Sequence, residues 1–447
     1  MALTGIQILK LLPKTNCGEC KFPTCLAFAM ALAAGKTELD LCPRVSESGR
    51  SELSDASAPP IRQLSFGVDD YAVKIGGETV LYRHEKTFFN KPGIGVLITD
   101  TMDDSEVERR LAALEYFQYE RVGVTMKPEI AAIRFTGSKE RFLAIAKHAS
   151  LRPCSVIIMC DDAAIMKEAL DILKSRKPLI YAARPDNYEA LGALAKEYSL
   201  PLAVAGNGFD EVAALTEKLT AMGLKDLVID TSKRQVKDAF IDQVAIRRAA
   251  LVSKFKPLGF PTITFPCDMT SDPMKETVIA SLFVAKYAGL IILGDIAGET
   301  IFPLLLQRLN IYTDPQRPMT TKEGIYPINN PDENSPVFLT CNFSLTYFIV
   351  SGEIENSRVP SWLCIMDTEG LSVMTAWAAG KFVGDLAGSF IKKSGIENSI
   401  KHRNLIIPGY AAAILGDLEE ELKGWKILIG PREAAHIPGY LKQIRKS

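Results

Sequence analysis

Between residues 93 and 311 the chain alternates two kinds of pattern. Short unbroken apolar runs stand at 94–99, 131–135, 155–160, 178–182, 201–205, 226–229, 262–266 and 290–293. Continuous rather than alternating hydrophobicity marks strands buried on both faces, as in parallel sheets. The stretches between them, such as 104–119, 163–175 and 187–198, carry apolar residues at helical spacing. Eight strand–helix units in sequence predict a (β/α)8 TIM barrel, with an open doubly wound sheet as the alternative.

The flanks follow other patterns. Residues 337–447 give strand runs at 337–340, 361–366, 405–407 and 425–429, with helical spacing over 372–382, 411–422 and 432–445. This predicts a Rossmann-like or flavodoxin-like domain, whose ligands sit at the carboxyl ends of its strands. Those ends are rich in Gly, Ser and Thr, which suits a ligand cradle and equally suits ordinary caps and turns. Ahead of the barrel, Tyr71, Val73 and Ile75 alternate, and 79–82 follows the turn Gly76-Gly77. A β-hairpin is expected there. Residues 312–336 hold five prolines and little periodicity, the mark of a linker or wrapping arm. Near the start, Thr4 and Gln7 form a capping box, and a second helix is expected over 26–34. The stretch 47–58 is small and polar before Pro59-Pro60, and suggests a hinge. The chain is thus divided into 1–58, 59–92, 93–311, 312–336 and 337–447.

Chemistry concentrates in the first of these segments. Cys17, Cys20, Cys25 and Cys42 are spaced C-x2-C-x4-C-x16-C, with Pro43 after the last. A C-x-x-C turn converges two thiolates, and four on a small helical hairpin suit a [4Fe–4S] cluster. Structural zinc is the rival, although zinc sites often pair two such knuckles and here there is one. Four unrelated buried cysteines are the plain alternative. A segment this short builds little core, and metal ligation would compensate.

Charge is balanced, with 52 Lys+Arg against 53 Asp+Glu, which argues against a nucleic-acid partner. No apolar run reaches the length of a membrane span, and no membrane partner is expected. The five remaining cysteines are scattered in mostly apolar runs, which suits a reducing, cytoplasmic setting.

Several long runs resemble one family. They are Asn16-Cys17-Gly18-Glu19-Cys20 with Pro23 to Met30, Tyr312 to Gln316, Asn342 to Tyr347, Asp367 with Gly370 to Ala376, and Gly430 to Ala434. The chain is similar over essentially its whole length to the large subunit of the corrinoid iron–sulfur protein of the reductive acetyl-CoA pathway. The resemblance implies an N-terminal [4Fe–4S] domain, a TIM barrel and a C-terminal corrinoid-binding domain. It implies a heterodimer with a small subunit, and work with a methyltetrahydrofolate methyltransferase, acetyl-CoA synthase/CO dehydrogenase and a reductive activator protein. It implies a corrinoid methyl carrier, part of a system that shuttles a methyl group from methyltetrahydrofolate, through the methyltransferase, to acetyl-CoA synthase. Carried over residue by residue, Cys17, Cys20, Cys25 and Cys42 match the cluster ligands. Thr340 and Thr346, with Gly370, Leu371, Ser372 and Val373, match the corrinoid-contacting turns. Thr375 matches the threonine beneath the cobalt. Ala434, Ala435 and His436 lie in the family's last corrinoid-contacting region.

Many corrinoid carriers place a histidine under the cobalt in a D-x-H-x-x-G motif. His84, His148, His402 and His436 all lie outside such a motif. A base-off corrinoid with no protein ligand below is therefore expected, and the cluster would return an electron to oxidised cobalt. The competing class is an iron–sulfur TIM-barrel oxidoreductase. It would draw acid–base residues from the ends of the barrel strands, with Asp100, Asp161, Asp230 and Asp268 as candidates.

Overall fold

The computed structural model describes residues 4–33, 37, 39–46, 49, 53, 59–121, 123–314 and 318–444. The chain divides into two compact units. The first comprises Met1–Tyr82, Phe88–Gln118 and Lys127–Tyr312, and the second Arg83–Thr87, Tyr119–Met126 and Thr313–Ser447.

The first unit begins with two short helices. The Thr4 hydroxyl accepts the Gln7 amide and the Gln7 side chain accepts the Thr4 amide, so α1 (Gly5–Leu11) starts at a complete capping box. Helix α2 spans Cys25–Ala33. Ile8, Leu12, Phe28 and Ala29 pack with Cys20, Cys25 and Cys42 into a small core of their own. Most of the expected hinge at 47–58 lies outside the described residues. Leu53, which is described, is 1 % exposed and packs into that core.

Strands β1 (Leu64–Phe66) and β2 (Val73–Ile75) form an antiparallel hairpin with Leu64 opposite Ile75. The expected second arm at 79–82 is not a strand. That stretch is pinned to the barrel wall instead: Arg247 donates to the Val80 carbonyl and the Glu78 carboxylate, and Tyr287 donates to the Leu81 carbonyl. The barrel strands are β3 (Gly93–Thr99), β6 (Ile130–Arg134), β7 (Ser155–Met159), β8 (Leu179–Ala183), β9 (Leu202–Ala205), β10 (Leu227–Asp230), β11 (Ile263–Thr264) and β12 (Leu290–Leu293). A small extra hairpin, β4 (Tyr119–Arg121) with β5 (Val124–Met126), is assigned to the second unit. All eight barrel strands pair in parallel, in the order β10-β9-β8-β7-β6-β3-β12-β11. A parallel bridge from Ile229 to Thr262 joins the two ends of the sheet. The helices between them are α3 (Asp104–Tyr116), α4 (Lys139–Ser150), α5 (Ala163–Leu173), α6 (Tyr188–Tyr198), α7 (Phe209–Ala221), α8 (Val236–Leu251), α9 (Pro273–Ala285) and α10 (Gly298–Ile311).

The hairpin plugs the floor of this barrel. Leu64, Phe66, Val73 and Ile75 share one core with Ile130, Leu179 and Leu290 from the starts of the strands. Gly93 opens β3 without a side chain because a Cβ there would lie 2.9 Å from Val73 Cγ1 and 2.7 Å from Ile130 Cδ1.

The second unit holds a five-stranded sheet in the order β13-β15-β14-β16-β17. These are β13 (Gly324–Ile328), β14 (Val337–Cys341), β15 (Ser361–Met366), β16 (Asn404–Ile407) and β17 (Lys426–Ile429). Strand β13 pairs antiparallel to β15, and the other neighbours are parallel. The 312–336 segment is therefore more than an arm, since it supplies the edge strand, where Pro327 is tolerated. Helices α12 (Val373–Ala378), α13 (Gly384–Ser394) and α14 (Leu415–Glu421) cover one face, and α11 (Ser344–Ser357) and α15 (Ile437–Ile444) the other. Among the described residues no helix is long and apolar enough to cross a membrane.

Candidate functional site

Strand order in the second unit reverses beside β14. The chain passes from β14 to β15 on one side, and then returns to β16 on the other. The loops at their carboxyl ends diverge, and a crevice opens at such a switch point. Here it is a cavity of ≈ 270 Å³. Its walls are Leu339 and Thr340 from β14, Thr346, Ile349 and Val350 from α11, Ser372, Val373 and Met374 at the start of α12, and Pro408, Tyr410, Arg432 and Ala434 from the later turns. Among the described residues lining it, Arg432 alone is charged and none is histidine.

Two features make this a built site rather than a gap. The Thr340 hydroxyl is buried in the wall with no hydrogen-bond partner among the described residues. A buried hydroxyl left unpaired costs on the order of 1–3 kcal/mol, so it is poised for a partner on a bound ligand. The adjoining turn is also held firmly. Asn342, 4 % exposed, accepts the amides of Thr368 and Gly370 and the Thr368 hydroxyl, each at 3.0 Å, and donates to Asp367 Oδ1 at 2.7 Å. Gly370 has φ +76°, and a Cβ there would lie 2.7 Å from Thr320 Cγ2. Only glycine fits both constraints.

Of the residues singled out in the sequence, Thr340, Thr346, Ser372, Val373 and Ala434 come together in the cleft. Gly370, Leu371, Thr375, Ala435 and His436 do not line it. Gly370 and Leu371 shape the turn from behind, and Ala435 and His436 are exposed beyond Ala434. Thr375 is exposed on the first turn of α12, with its hydroxyl 3.0 Å from that of Ser372. Sequence reasoning missed Asn342 as the organiser of the turn, and Ile349 and Arg432 as wall residues. Arg432 stood at a strand end and could have been taken from that position. Ile349 lies on a helix whose pattern was not recognised.

The second candidate centre is the cysteine segment. None of the nine cysteines forms a disulfide. Cys20, Cys25 and Cys42 are buried and Cys17 is exposed. The Asn16 amide donates to Cys25 Sγ at 3.4 Å, while Asn16 Oδ1 accepts the Cys25 amide at 2.8 Å. The Cys17 thiol is held below its usual range, chiefly by the backbone amide of Glu19 and then by the Thr15 side chain. Among the described residues, no three His, Cys, Asp or Glu side chains converge closely enough to hold a single metal ion. The donor set of four thiols, with the Asn16 amide on Cys25 Sγ, fits an iron–sulfur cluster.

The barrel's aspartates are engaged elsewhere. Asp100 accepts the amides of Thr136, Gly137 and Ser138 in the loop before α4. Asp161 pairs with Arg184. Asp230 accepts the Tyr181 hydroxyl at 2.6 Å and pairs with Arg234 at 2.8 Å. Asp268 pairs with both Arg134 and Arg234. All four carboxylates are thus held by cations, a hydroxyl or backbone amides.

The fold and the two centres define a modular α/β protein: a cysteine-bearing helical segment, an eight-stranded parallel barrel, and a separate sheet with an apolar cleft. A family model described as "CO dehydrogenase/acetyl-CoA synthase delta subunit" matches residues 63–441, and one described as "Putative Fe-S cluster" matches residues 12–44. The corrinoid/iron–sulfur protein large subunit of Moorella thermoacetica is 43 % identical over 99 % of both chains. The acetyl-CoA decarbonylase/synthase complex subunit gamma of Methanothermobacter thermautotrophicus is 34 % identical, again over 99 % of both. Subunit gamma 2 of Methanosarcina thermophila is 35 % identical over 98 % of both. The broader model carries a delta-subunit name, but the full-length relatives are large or gamma subunits. The chain belongs to the family of corrinoid/iron–sulfur protein large subunits of the acetyl-CoA pathway.

Proposed function

We propose that this chain is a methyl carrier that takes a methyl group from methyltetrahydrofolate through a methyltransferase and delivers it to acetyl-CoA synthase. The observation that carries this reading is the cleft at the switch point, with the unpartnered Thr340 hydroxyl in its wall. A corrinoid bound there would supply a cobalt centre that accepts and releases methyl. Thr340 would hydrogen-bond its periphery, and the walls from Thr346, Ser372, Val373 and Ala434 would shield it from water. On this reading the second unit, with its parallel strands covered on both faces, would serve as a Rossmann-like or flavodoxin-like corrinoid domain. The histidine-free lining supports a base-off state, in which Thr375, exposed beside Ser372, would offer a side chain too short to reach a cobalt centre as a ligand.

Cys17, Cys20, Cys25 and Cys42 would hold a [4Fe–4S] cluster, which supplies single electrons to restore cobalt after accidental oxidation. Around the cleft, Ile349, Met374 and Tyr410 are 48 %, 45 % and 47 % exposed. Such an apolar rim suits cover by a small subunit. The wider partners are the methyltransferase, acetyl-CoA synthase/CO dehydrogenase and a reductive activator, all in the cytoplasm.

Metal analysis and absorption spectra of the anaerobically purified protein test this reading. A carrier holds iron and cobalt, and Cys20→Ala loses iron but keeps cobalt. Iron without cobalt would favour the barrel oxidoreductase, and zinc a structural scaffold.

A further inference from the structure

The cysteine segment contains a charge pair that ligation alone does not call for. Glu19 lies inside the C-x-x-C turn, between Cys17 and Cys20, and Arg44 lies two residues after Cys42. They meet in a two-pronged ion pair, with Arg44 Nε to Glu19 Oε2 at 3.1 Å and the terminal nitrogen to Oε1 at 2.5 Å. The Glu19 backbone amide meanwhile donates to the Cys17 sulfur. One residue thus touches a ligand thiol through its main chain and holds a cation through its side chain. The ion pair brings the Arg44 guanidinium, two residues from Cys42, to the turn that carries Cys17 and Cys20, where the Glu19 carboxylate opposes its charge. Both side chains are about half exposed, so each charge alone acts through partial solvent screening.

We propose that the Glu19–Arg44 pair is a charge balance for the iron–sulfur centre, holding its reduction potential between the values that either charge alone would impose. The proposal rests on the cluster reading above. Reduction adds one electron to a centre already surrounded by four thiolates. A neighbouring cation favours the added charge and a neighbouring anion disfavours it. Paired, the two nearly cancel at the cluster. Separated, they push in opposite directions. A purely structural clip has no such sign, because losing either partner would loosen the loop in the same way.

The test uses the full chain, purified anaerobically with its iron, as wild type, E19Q, R44Q and the double variant. Each is titrated with dithionite as the electron donor, and the reduced cluster is followed by electron paramagnetic resonance. At the poise where wild type is half reduced, E19Q should be more reduced and R44Q less. Each should change the reduced-to-oxidised ratio by roughly threefold to tenfold, tenfold being ~59 mV for a one-electron couple. The double variant should return to within roughly twofold of wild type. Shifts of the same sign, no shift, or a double variant that does not return would each overturn the proposal. Should R44Q lose iron, R44K keeps the charge without the fork. An iron-loaded R44K with the wild-type potential supports charge balance, and loss of iron there too would make the pair an assembly clip. Failure of the cluster reading looks different, since the wild type itself would then give no reducible iron signal.

Discussion

Asn342→Ala should weaken the second unit and its cleft together. The substitution removes the acceptor for the Thr368 and Gly370 amides, both buried. The Thr368 hydroxyl keeps the Leu371 carbonyl at 2.8 Å, so the loss is counted on the two amides. A buried donor stranded without an acceptor costs about 1–3 kcal/mol, which puts the change at roughly 2–6 kcal/mol. A domain stability of about 5–15 kcal/mol makes that a large fraction. All three tryptophans, Trp362, Trp377 and Trp425, lie in this unit, so urea unfolding followed by their fluorescence reports on it directly. Asn342→Asp separates the two roles of the side chain. It keeps an accepting oxygen, but sets a carboxylate against Asp367 Oδ1, where the native amide donates at 2.7 Å. The like charges raise the pair's affinity for a proton in the folded state. The penalty is therefore present at neutral pH and fades as pH falls and one carboxyl protonates. If the alanine variant unfolds within about 0.5 kcal/mol of wild type, the turn does not depend on Asn342 and the reasoning fails.

Two further outcomes are expected in the barrel unit. Burial, the largest influence, raises the Glu276 carboxyl from its ordinary 4.5 to about 6, although the Gly294 amide donates to it. A raised acid favours the fold below its unfolded value and loses that contribution as pH climbs through the folded one. Glu276→Gln should therefore match wild type near pH 4 and exceed it by about 2 kcal/mol above pH 7, read from denaturant midpoints by circular dichroism. Arg247→Met should cost about 3–5 kcal/mol by stranding buried Glu78, 3.0 Å away, with partial recovery in the double variant carrying Glu78→Gln; equal stability of the single variant would count against the pair.

How far the sequence revealed the structure depended on burial. The barrel strands stood out because both faces are covered, so every position in 155–159 or 202–205 is apolar or small, and neighbouring helices only confirmed the count. Helix α11 did not stand out. Its sequence, Ser344–Ser357, mixes Thr, Tyr, Val and Gly with few buried positions, so neither propensity nor periodicity marks it. Strand β13 was hidden by Pro327, which reads as a breaker until the strand is known to be an edge. The hairpin was placed one arm too late because Gly76-Gly77 looked like its turn. The real partner of Val73–Ile75 precedes it, across the loop that carries Asp69–Tyr71. At the cleft, strand-end position and resemblance found Thr340 and Ser372. Neither could show that Asn342 ties the turn, since that depends on side-chain placement between elements distant in sequence.

The plug beneath the barrel has a consequence for how the chain is made. Leu64, Phe66, Val73 and Ile75 leave the ribosome early, but Leu290 and Ile292, which complete their surroundings, follow on the order of 200 residues later. At typical elongation rates the hairpin waits roughly 10–40 s with its apolar face uncovered. A three-residue strand on each side makes it a marginal structure on its own over that interval. The nascent chain thus carries an adhesive patch ahead of an unfinished ring, at the stage when the cysteine segment before it is already free to meet iron. Ring closure through Ile229 and Thr262 cannot precede the synthesis of β11, so burial of the plug should be among the last steps of folding in this unit.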